Sequence, residues 1–274
     1  MMFKKKGLNI IGFILILFIS IVAILPFYTM LIMGTYYTND LFTGMKFLPG
    51  NYLSENIKTL FSIDILAFYK NSVIVAGGSA VLTVIVCAMA GFAFAKYKFL
   101  FKKTLFSSIM ITMMIPMQLG LVAFVIEMQA IGWRNSLLPL IIPPAASAFG
   151  VFWMTQFASS AIPDEVMESA RIDGCNEFTL FVKIALPFMR AACMTLALLA
   201  FLWSWNNLLT PLVVVSNERL YTIPLGIRQL STTFRNDTAA QVLGLSLTTL
   251  PILLLFSAFS KSLISGLSAA AVKG

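Results

Sequence analysis

The chain has 274 residues, of which 59% are hydrophobic and only 11% are charged, and its mean hydropathy is +0.91. Soluble domains carry roughly 25% charged residues, so this composition excludes an ordinary soluble protein and indicates an integral membrane protein. The net charge of +8 comes from Lys and Arg scattered among apolar segments rather than gathered on one face, which argues against a nucleic-acid partner.

The residue types needed for catalysis or metal binding are scarce. Histidine is absent from the sequence, and no cluster of Cys or carboxylate residues replaces it. The chain therefore offers no metal site and no constellation for acid–base or nucleophilic catalysis. Cys87, Cys175 and Cys193 lack CxxC spacing and are predicted to be free thiols. We expect a protein that is not an enzyme and has no cofactor of its own.

Six apolar runs divide the chain, and each is long enough to cross a bilayer core of about 30 Å as a helix. Because a backbone in lipid must satisfy its own hydrogen bonds, and the runs lack the alternation of barrel strands, we predict an all-α membrane protein. We treat residues 1–274 as one transmembrane domain. The predicted spans are 8–33, 71–95, 104–126, 137–160, 187–210 and 240–264, with a loop at 161–186 between the fourth and fifth.

The distribution of Lys and Arg predicts the orientation of the spans, because cytoplasmic loops carry an excess of positive charge. With the N-terminus in the cytoplasm, 12 basic residues fall inside and 7 outside, and a tight cluster at Lys96–Lys103 lies in a short loop, where the rule counts most. Both termini and the loop at 161–186 are therefore predicted to be cytoplasmic. The basic start at Lys4 leads into an apolar run that continues to Met33, so it is predicted to be an uncleaved first span rather than a signal peptide.

Some residues within the spans predict local packing or interruption. Small residues recur in the second span, including Gly77 and Gly91, and are expected to let helices approach closely. Pro143 and Pro144 remove backbone donors and are expected to kink or interrupt the fourth span. In the loop before the sixth span, the segment Tyr221–Gly226 is predicted to dip back toward the membrane.

The loop at residues 161–186, called the acidic loop below, contains five acidic and only two basic residues in an otherwise apolar chain. Pro163 is expected at the first position of a helix, and Gly174 at its end, where a left-handed backbone is needed. Asn176 is expected to cap a second helix, which Pro187 closes. The predicted apolar faces are Ile162, Val166, Met167 and Ala170 in the first helix, and Phe178, Phe181, Val182 and Ala185 in the second.

This helix–turn–helix has two possible roles on the cytoplasmic surface. A passive amphipathic helix that lies on lipid is usually rich in Lys and Arg, because the cytoplasmic leaflet is anionic. The excess of acids in the acidic loop instead favours a basic groove on a partner protein. The passive loop stays as the alternative on physical grounds alone.

Residues 168–187 read ESARIDGCNEFTLFVKIALP and resemble the EAA signature of the membrane subunits of binding-protein-dependent ABC importers. Ser169 stands where the signature usually has a second alanine. The stretches WSWNNLLTPLVVV at 203–215 and YTIPLGI at 221–227 extend the likeness. Nearly the whole chain is similar to the smaller permease subunit of maltose-type carbohydrate transporters. The matching residues of the signature are Glu168, Ala170, Asp173, Gly174, Ile184, Leu186 and Pro187.

The resemblance implies a multi-pass permease subunit of the bacterial cytoplasmic membrane that forms half of a translocation path for a sugar, with an oligosaccharide favoured. The implied partners are a second permease subunit in a heterodimer, two copies of an ABC ATPase, an extracellular or periplasmic solute-binding protein and the lipid bilayer. ATP would be bound by the ATPase, since this chain contains no GxxxxGK[ST] loop.

The same resemblance assigns the acidic loop as the coupling helix that seats in a cleft of the ATPase, with Glu168 facing a basic residue of the cleft. The tail at residues 268–274 is a second candidate for contact with the ATPase pair. The coupling residues implied are Glu165, Glu168, Ser169, Ala170, Asp173, Gly174 and Pro187.

Candidates for the sugar path are Gln118, Trp203, Asn206 and Asn207, because aromatic rings stack on sugars and amides bond to their hydroxyls. The Trp residues could equally anchor the helix at the membrane interface, and the Asn pair could make interhelical hydrogen bonds. Two alternatives to a sugar importer remain. One is an ABC permease for a non-sugar solute, and the other is a secondary transporter, for which neither an inverted repeat nor a clear intramembrane ion site is evident.

Overall fold

The computed structural model describes residues 2–232 and 235–257, with side chains from residue 12 onward. The tail at 268–274 and the end of the sixth predicted span lie outside the described residues. The described chain is mostly helical, and its α-helices are α1 Met2–Met33, α2 Leu53–Leu60, α3 Ile65–Lys96, α4 Lys102–Thr112, α5 Leu121–Ala130, α6 Leu138–Ile141, α7 Ala148–Ala161, α8 Asp164–Ile172, α9 Glu177–Leu180, α10 Leu186–Phe188, α11 Arg190–Trp205, α12 Leu209–Val214, α13 Ile223–Ile227 and α14 Thr238–Leu247.

Shorter elements connect these helices. A π-helical turn at Phe181–Ala185 joins α9 to α10. Strands β1 (Ser231–Thr232) and β2 (Arg235–Asn236) form an antiparallel pair. The 3₁₀ turns are Thr38–Phe42, Met117–Gly120, Pro143–Ala145, Glu218–Leu220 and Arg228–Leu230.

Between four and six stretches of the described chain can cross a membrane by length and composition. Four do so as single stretches, namely Gly12–Met33, Ile65–Lys96, Leu138–Ala161 and Thr238–Ser257. The number rises to six if each of two bent helix pairs counts as one span. The bent pairs are Lys102–Thr112 with Met117–Ala130, and Glu177–Phe188 with Arg190–Trp205. All six stretches overlap the predicted spans.

The third predicted span is not the continuous helix expected over residues 104–126. Helix α4 ends at Thr112, and the chain resumes at Met117 in a direction 89° away. Pro116 explains the break, because proline cannot donate a backbone hydrogen bond and its ring clashes with the carbonyl group four residues earlier. That residue is Thr112, the last residue of α4. Apolar residues continue through the break, so hydropathy alone does not reveal it.

The predicted interruption of the fourth span is confirmed. A 3₁₀ turn at Pro143–Ala145 separates α6 from α7, and Ser147 caps α7 by accepting a hydrogen bond from the backbone N–H of Gly150 at 3.0 Å. The interruption leaves backbone carbonyl groups without a helical hydrogen bond, and side chains of α3 lie against three carbonyl groups there. Thr83 donates its hydroxyl to one of them at 3.3 Å, and the thiol of Cys87 lies 3.6 Å from two more.

The chain divides into two compact units, and the first comprises Met1–Ile65 with Gly226–Leu250. Helices α1, α2 and α14 pack together there. A Cβ added to Gly34 would lie 2.8 Å from the Cβ of Leu243, so only glycine allows this approach. Asn56 is buried and donates to the carbonyl groups of Gly34 and Tyr36 at 2.9 and 2.8 Å, which fixes the chain as it leaves α1.

The second unit comprises Leu66–Leu225 with Pro251–Gly274, and its core gathers α3, α7, α11 and the acidic loop. A Cβ on Gly91 of α3 would lie 2.4 Å from the Cβ of Met154 in α7, which confirms the predicted close packing at this glycine. At Gly77, by contrast, an added Cβ would meet nothing within 4 Å. The indole N–H of Trp153 donates to the carbonyl of Ala192 at 3.2 Å and ties α7 to α11.

Candidate functional site

The acidic loop folds as two short helices joined by a glycine turn, as predicted. Helix α8 begins one residue later than expected, since Pro163 takes the N-cap position with φ −67°. Gly174 has φ +81°, a left-handed conformation that side chains with a Cβ rarely adopt. The backbone N–H of Cys175 then donates to the carbonyl of Ala170 at 3.0 Å, which completes the end of α8. Asn176 caps α9 by accepting from the N–H of Thr179 at 2.8 Å.

The inner face of the acidic loop packs into the core of the second unit. Met167 and Ala170 of α8 are buried together with Leu180 and Ala185, in one cluster with Phe92 of α3. Apolar side chains of the surface helices therefore join the same core that holds the membrane helices. Burial of this face rules out a loop that merely trails in solvent.

The predicted apolar face of the second helix is only partly correct. Ala185 is buried and Phe181 is half-buried, but Phe178 is 73% exposed and Val182 is 41% exposed. The reason is the π-helical turn at Phe181–Ala185, whose extra residue per turn rotates the helix face relative to an ordinary α-helix. Leu180, which was not predicted, is fully buried in their place.

Charged side chains fasten the acidic loop to the end of α3. The ammonium group of Lys96 lies 2.7 Å from the carboxylate of Asp164, the first residue of α8. The hydroxyl of Tyr97 donates to the carboxylate of Glu177. Arg171 holds the same carboxylate through two hydrogen bonds, from Nε at 2.9 Å and from Nη2 at 3.3 Å. Two successive residues at the end of α3, Lys96 and Tyr97, thus reach the start of α8 and the start of α9.

The ionisation of these groups follows from their contacts. The hydrogen bond from Lys96, and then its charge, lowers the pKa of Asp164 below its ordinary value. The hydrogen bonds from Arg171 and then Tyr97 lower the pKa of Glu177. Burial, followed by the hydrogen bond to the Glu177 carboxylate, raises the pKa of Tyr97. At neutral pH both acids are therefore charged and the phenol keeps its proton.

The outer face of the acidic loop presents acids together with apolar side chains. Glu165, Glu168 and Asp173 are exposed. Ile172 is 87% exposed and Phe178 is 73% exposed, on either side of the turn at Gly174. The outer face thus combines carboxylates with two large, open apolar side chains. The remaining predicted coupling residues are the exposed Ser169, the buried Ala170 and the exposed Pro187.

The residues predicted for a sugar path lie at two places along the chain, one between α4 and α5 and the other at the end of α11. Gln118 is exposed in the 3₁₀ turn just after the break at Pro116. Trp203 is 52% exposed and packs edge-on against Phe149, with ring centroids 5.4 Å apart. Asn206 follows the last residue of α11 and donates to the carbonyl of Leu202 at 2.9 Å.

The described hydrogen bonds of the Asn207 side chain are local. Its amide side chain exchanges hydrogen bonds with the hydroxyl and the backbone N–H of Thr210, at 3.0 and 3.2 Å. The described hydrogen bonds of both asparagines therefore serve the helix ends rather than a neighbouring span. Within the described residues no group of three His, Cys, Asp or Glu side chains could hold a metal ion.

Sequence reasoning missed the residues that attach the acidic loop. Lys96 enters the sequence analysis only as part of a basic cluster, Glu177 only as one of the acids, and Tyr97 not at all. No local pattern links them, since Lys96 and Asp164 are 68 positions apart and Tyr97 and Glu177 are 80 apart. Their contact follows from the packing of α3 against the acidic loop.

Together, the apolar stretches and the attached surface helices define a multi-pass helical membrane protein with an exposed acidic helix–turn–helix. The profile of the family described as "Binding-protein-dependent transport system inner membrane component" matches residues 84–268. The chain therefore belongs to this family, the permease subunits of ABC transporters, and it is a multi-pass component of the cytoplasmic membrane. Members of the family are transport components.

Several characterised permeases are similar over nearly their whole length. The arabinooligosaccharides transport system permease protein AraQ of Halalkalibacterium halodurans is 31% identical, covering 99% of this chain and 100% of its own. The lactose transport system permease protein LacG of Rhizobium radiobacter is 29% identical, covering 96% of each chain. The sn-glycerol-3-phosphate transport system permease protein UgpE of Salmonella typhi is 30% identical, covering 96% of this chain and 97% of its own.

The fold is shared with a solved structure. A chain of a bacterial ABC transporter involved in the import of the acidic polysaccharide alginate superposes with a TM-score of 0.79. The superposition covers 94% of this chain and 97% of that chain, at 17% sequence identity. At this identity the likeness establishes the fold alone.

Proposed function

We propose that this chain is the permease subunit of an ABC importer for a sugar, with an oligosaccharide as the favoured class. The observation that carries the proposal is the likeness over nearly the full length to permeases named for arabinooligosaccharides and lactose.

A non-sugar solute is the second candidate, because a permease named for glycerol 3-phosphate is 30% identical. Uptake of labelled arabino-oligosaccharide, lactose and glycerol 3-phosphate separates the two candidates in cells with and without this chain. Loss of saccharide uptake alone supports the first. Loss of glycerol 3-phosphate uptake alone would replace it with the second.

In this proposal the chain crosses the membrane six times, with both termini and the acidic loop in the cytoplasm. The support is the set of four single and two bent apolar stretches, together with the basic loop that follows α3. A cysteine placed at the exposed Ser169 or at the exposed Glu218 tests the orientation. A membrane-impermeant maleimide should label Glu218→Cys on intact cells, but Ser169→Cys only after permeabilisation. The reverse pattern would invert the topology.

The acidic loop is proposed as the surface that docks on the ATPase subunit. Its inner face is buried, while Glu168, Ile172 and Phe178 face outward. Acids around open apolar side chains suit a groove with a basic rim and an apolar floor. The anionic surface of a membrane would repel the same acids. A protein groove therefore fits the exposed face better than lipid does.

Charge reversal at Glu168 tests the docking surface. We expect Glu168→Lys to abolish uptake and to release the ATPase during purification, while insertion into the membrane stays normal. Glu218→Lys is the matched control, because Glu218 is also exposed but lies in the loop predicted on the opposite side. Normal uptake and normal ATPase retention in Glu168→Lys would refute the docking role.

The proposed complex contains one copy of this chain, a second permease, two ATPase subunits and, during transport, a solute-binding protein. Closure of the ATPase pair would draw the coupling helices together and rotate the spans between inward-facing and outward-facing states as rigid bodies. Native mass spectrometry of the purified complex tests the composition. A complex with two copies of this chain and no second permease would contradict the heterodimer.

Gln118, Trp203, Asn206 and Asn207 are proposed for the sugar path with less structural support, since the described hydrogen bonds of the two asparagines are local and Trp203 packs against Phe149. Gln118 is exposed and lies at a bend in the third span. If it contacts the sugar, Gln118→Ala should raise the sugar concentration needed for half-maximal uptake while ATPase retention stays unchanged. An unchanged concentration dependence would remove it from the path.

A further inference from the structure

Helix α3 is attached to the acidic loop at one end and to an outer segment at the other. At its C-terminal end Lys96 pairs with Asp164, and the next residue, Tyr97, bonds to Glu177. Both contacts are made by side chains of consecutive residues, and they hold α8 at its first residue and α9 at its first residue. The docking surface proposed above lies between these two points.

The two side chains of the Lys96–Asp164 ion pair differ greatly in burial. The side chain of Lys96 is only 7% exposed, whereas that of Asp164 is 77% exposed. A nearly buried ammonium group is costly without its counter-charge, so Lys96 depends on Asp164 more than Asp164 depends on Lys96. Any displacement of the start of α8 therefore acts directly on the end of α3.

The attachment at Tyr97 combines several contacts. Its ring packs edge-on against Phe92 of α3 with centroids 5.4 Å apart, and the guanidinium of Arg171 lies 5.8 Å from its ring centroid. Arg171 also binds the same carboxylate of Glu177 that accepts the Tyr97 hydroxyl. The turn between α8 and α9 is thereby held to Tyr97 from both sides.

The covalent route from the acidic loop into α11 is less direct. After α9 the chain passes through the π-helical turn at Phe181–Ala185 and then bends by 80° before α11 begins at Arg190. By contrast, α3 is one continuous helix of 32 residues. A displacement of the acidic loop would reach one continuous helix through Lys96 and Tyr97, but it would reach α11 only through a bent joint.

At its other end α3 holds the segment that follows the Glu218–Leu220 turn. The buried Asn71 donates to the carbonyl groups of Arg219 and Tyr221 at 2.8 and 3.0 Å. The hydroxyl of Ser72, also buried, accepts from the backbone N–H of Ile223 at 2.8 Å. At 1.5 Å of rise per residue, Ser72 and Lys96 are roughly 36 Å apart along the helix, which is more than the thickness of a bilayer core.

We propose that Lys96 and Tyr97 are positioning residues that make α3 the helix through which movement of the acidic loop reaches the segment at 219–223. The inference rests on the proposed docking of the acidic loop on an ATPase. Coupling between two distant sites requires a rigid element attached to both, and α3 meets that condition through the contacts at its two ends.

The test uses the complete purified transporter with its second permease and its ATPase. Glu218→Cys reports on the outer segment, in a background of Cys175→Ser and Cys193→Ser. Its rate of reaction with a maleimide is measured without nucleotide and after trapping with Mg·ATP and vanadate. In the otherwise unchanged chain, trapping should alter the rate by about fivefold, the low end of a typical allosteric coupling.

Lys96→Met and Tyr97→Phe should each remove most of this change while the ATPase still co-purifies, because the outward face of the acidic loop is untouched. Lys96→Arg, which keeps the positive charge, should retain the change in reaction rate. Lys98→Met is the control, since Lys98 is an exposed neighbour in the same turn. Full rate changes in both Lys96→Met and Tyr97→Phe would overturn the inference.

The experiments distinguish a failure of the proposed docking from a failure of transmission through α3. If Glu168→Lys fails to release the ATPase, docking through the acidic loop is wrong. If Glu168→Lys releases it but Lys96→Met and Tyr97→Phe leave the rate change intact, docking stands and transmission through α3 is wrong. Asn71→Ala at the far end should also reduce the rate change, and combining it with Tyr97→Phe should cause little further loss, because both interrupt the same connection.

Discussion

Replacing Gly91 with alanine should separate α3 from α7. The added Cβ would lie 2.4 Å from the Cβ of Met154 and 2.8 Å from the backbone nitrogen of Thr155, where ordinary contact needs 3.4–4 Å. Neither atom can turn away, because both are fixed to the backbone of α7. The helices must therefore part by about 1 Å, and overpacking of this kind typically costs about 1–3 kcal/mol.

The matched control is Gly77→Ala in the same helix. An added Cβ at Gly77 meets nothing within 4 Å, so the change should be neutral or slightly stabilising, because alanine favours the helix by about 0.5–1 kcal/mol over glycine. The assay is the temperature at which the purified protein in detergent loses half its folded fraction. We expect a clear decrease for Gly91→Ala and none for Gly77→Ala. Equal temperatures for the two variants would refute the packing assigned to Gly91.

Other predictions concern the acidic loop and the fourth span. Gly174→Val should impair ATPase retention more than Gly174→Asn does. The reason is that Gly174 has φ +81°, and asparagine tolerates this region far better than a β-branched residue. Equal retention by the two variants would show that the turn does not need this conformation. The attachments of the acidic loop should be constant between pH 5.5 and 9. Because the pKa values of Asp164 and Glu177 are lowered, their contribution to stability is complete above the ordinary carboxyl value of about 4 and is lost as the pH falls through the lowered values. Because the pKa of Tyr97 is raised, its hydroxyl keeps its proton to above about pH 10. Hydrogen exchange across residues 164–177, corrected for its intrinsic pH dependence, measures this, and a transition near pH 7 would contradict it. Finally, Thr83→Val should lower the free energy of unfolding by about 1 kcal/mol, because it leaves a carbonyl of the Pro143–Ala145 turn without its donor. Thr83→Ser keeps the hydroxyl and should be close to neutral. Equal losses in both variants would exclude the hydrogen bond as the cause.

The spans were predictable because hydropathy is summed over about 20 residues and tolerates errors at each end. Local chemistry also predicted the interruption at Pro143 and the glycine turn at Gly174, since each depends on the conformational limits of one residue. The break at Pro116 carried the same kind of signal, and it was overlooked because the apolar pattern continues on both sides.

Features that depend on distant packing could not be read from the sequence. The π-helical turn at Phe181–Ala185 changes which side of the second helix is buried, and nothing in the local pattern distinguishes it from an ordinary turn. The contacts of Lys96 and Tyr97 join residues far apart in the chain, so they follow only once α3 and the acidic loop are placed side by side. For the acidic loop, the shape was predictable and its attachment was not.

The interrupted fourth span has a consequence for how the protein is made. At a mean hydropathy of 1.4 it is the least apolar of the four single stretches, against 2.4 for α3. Its free carbonyl groups are costly in lipid until Thr83 and Cys87 of α3 lie beside them. Helix α3 is synthesised before this stretch, so Thr83 and Cys87 are available to cover the carbonyl groups as soon as the stretch packs against α3.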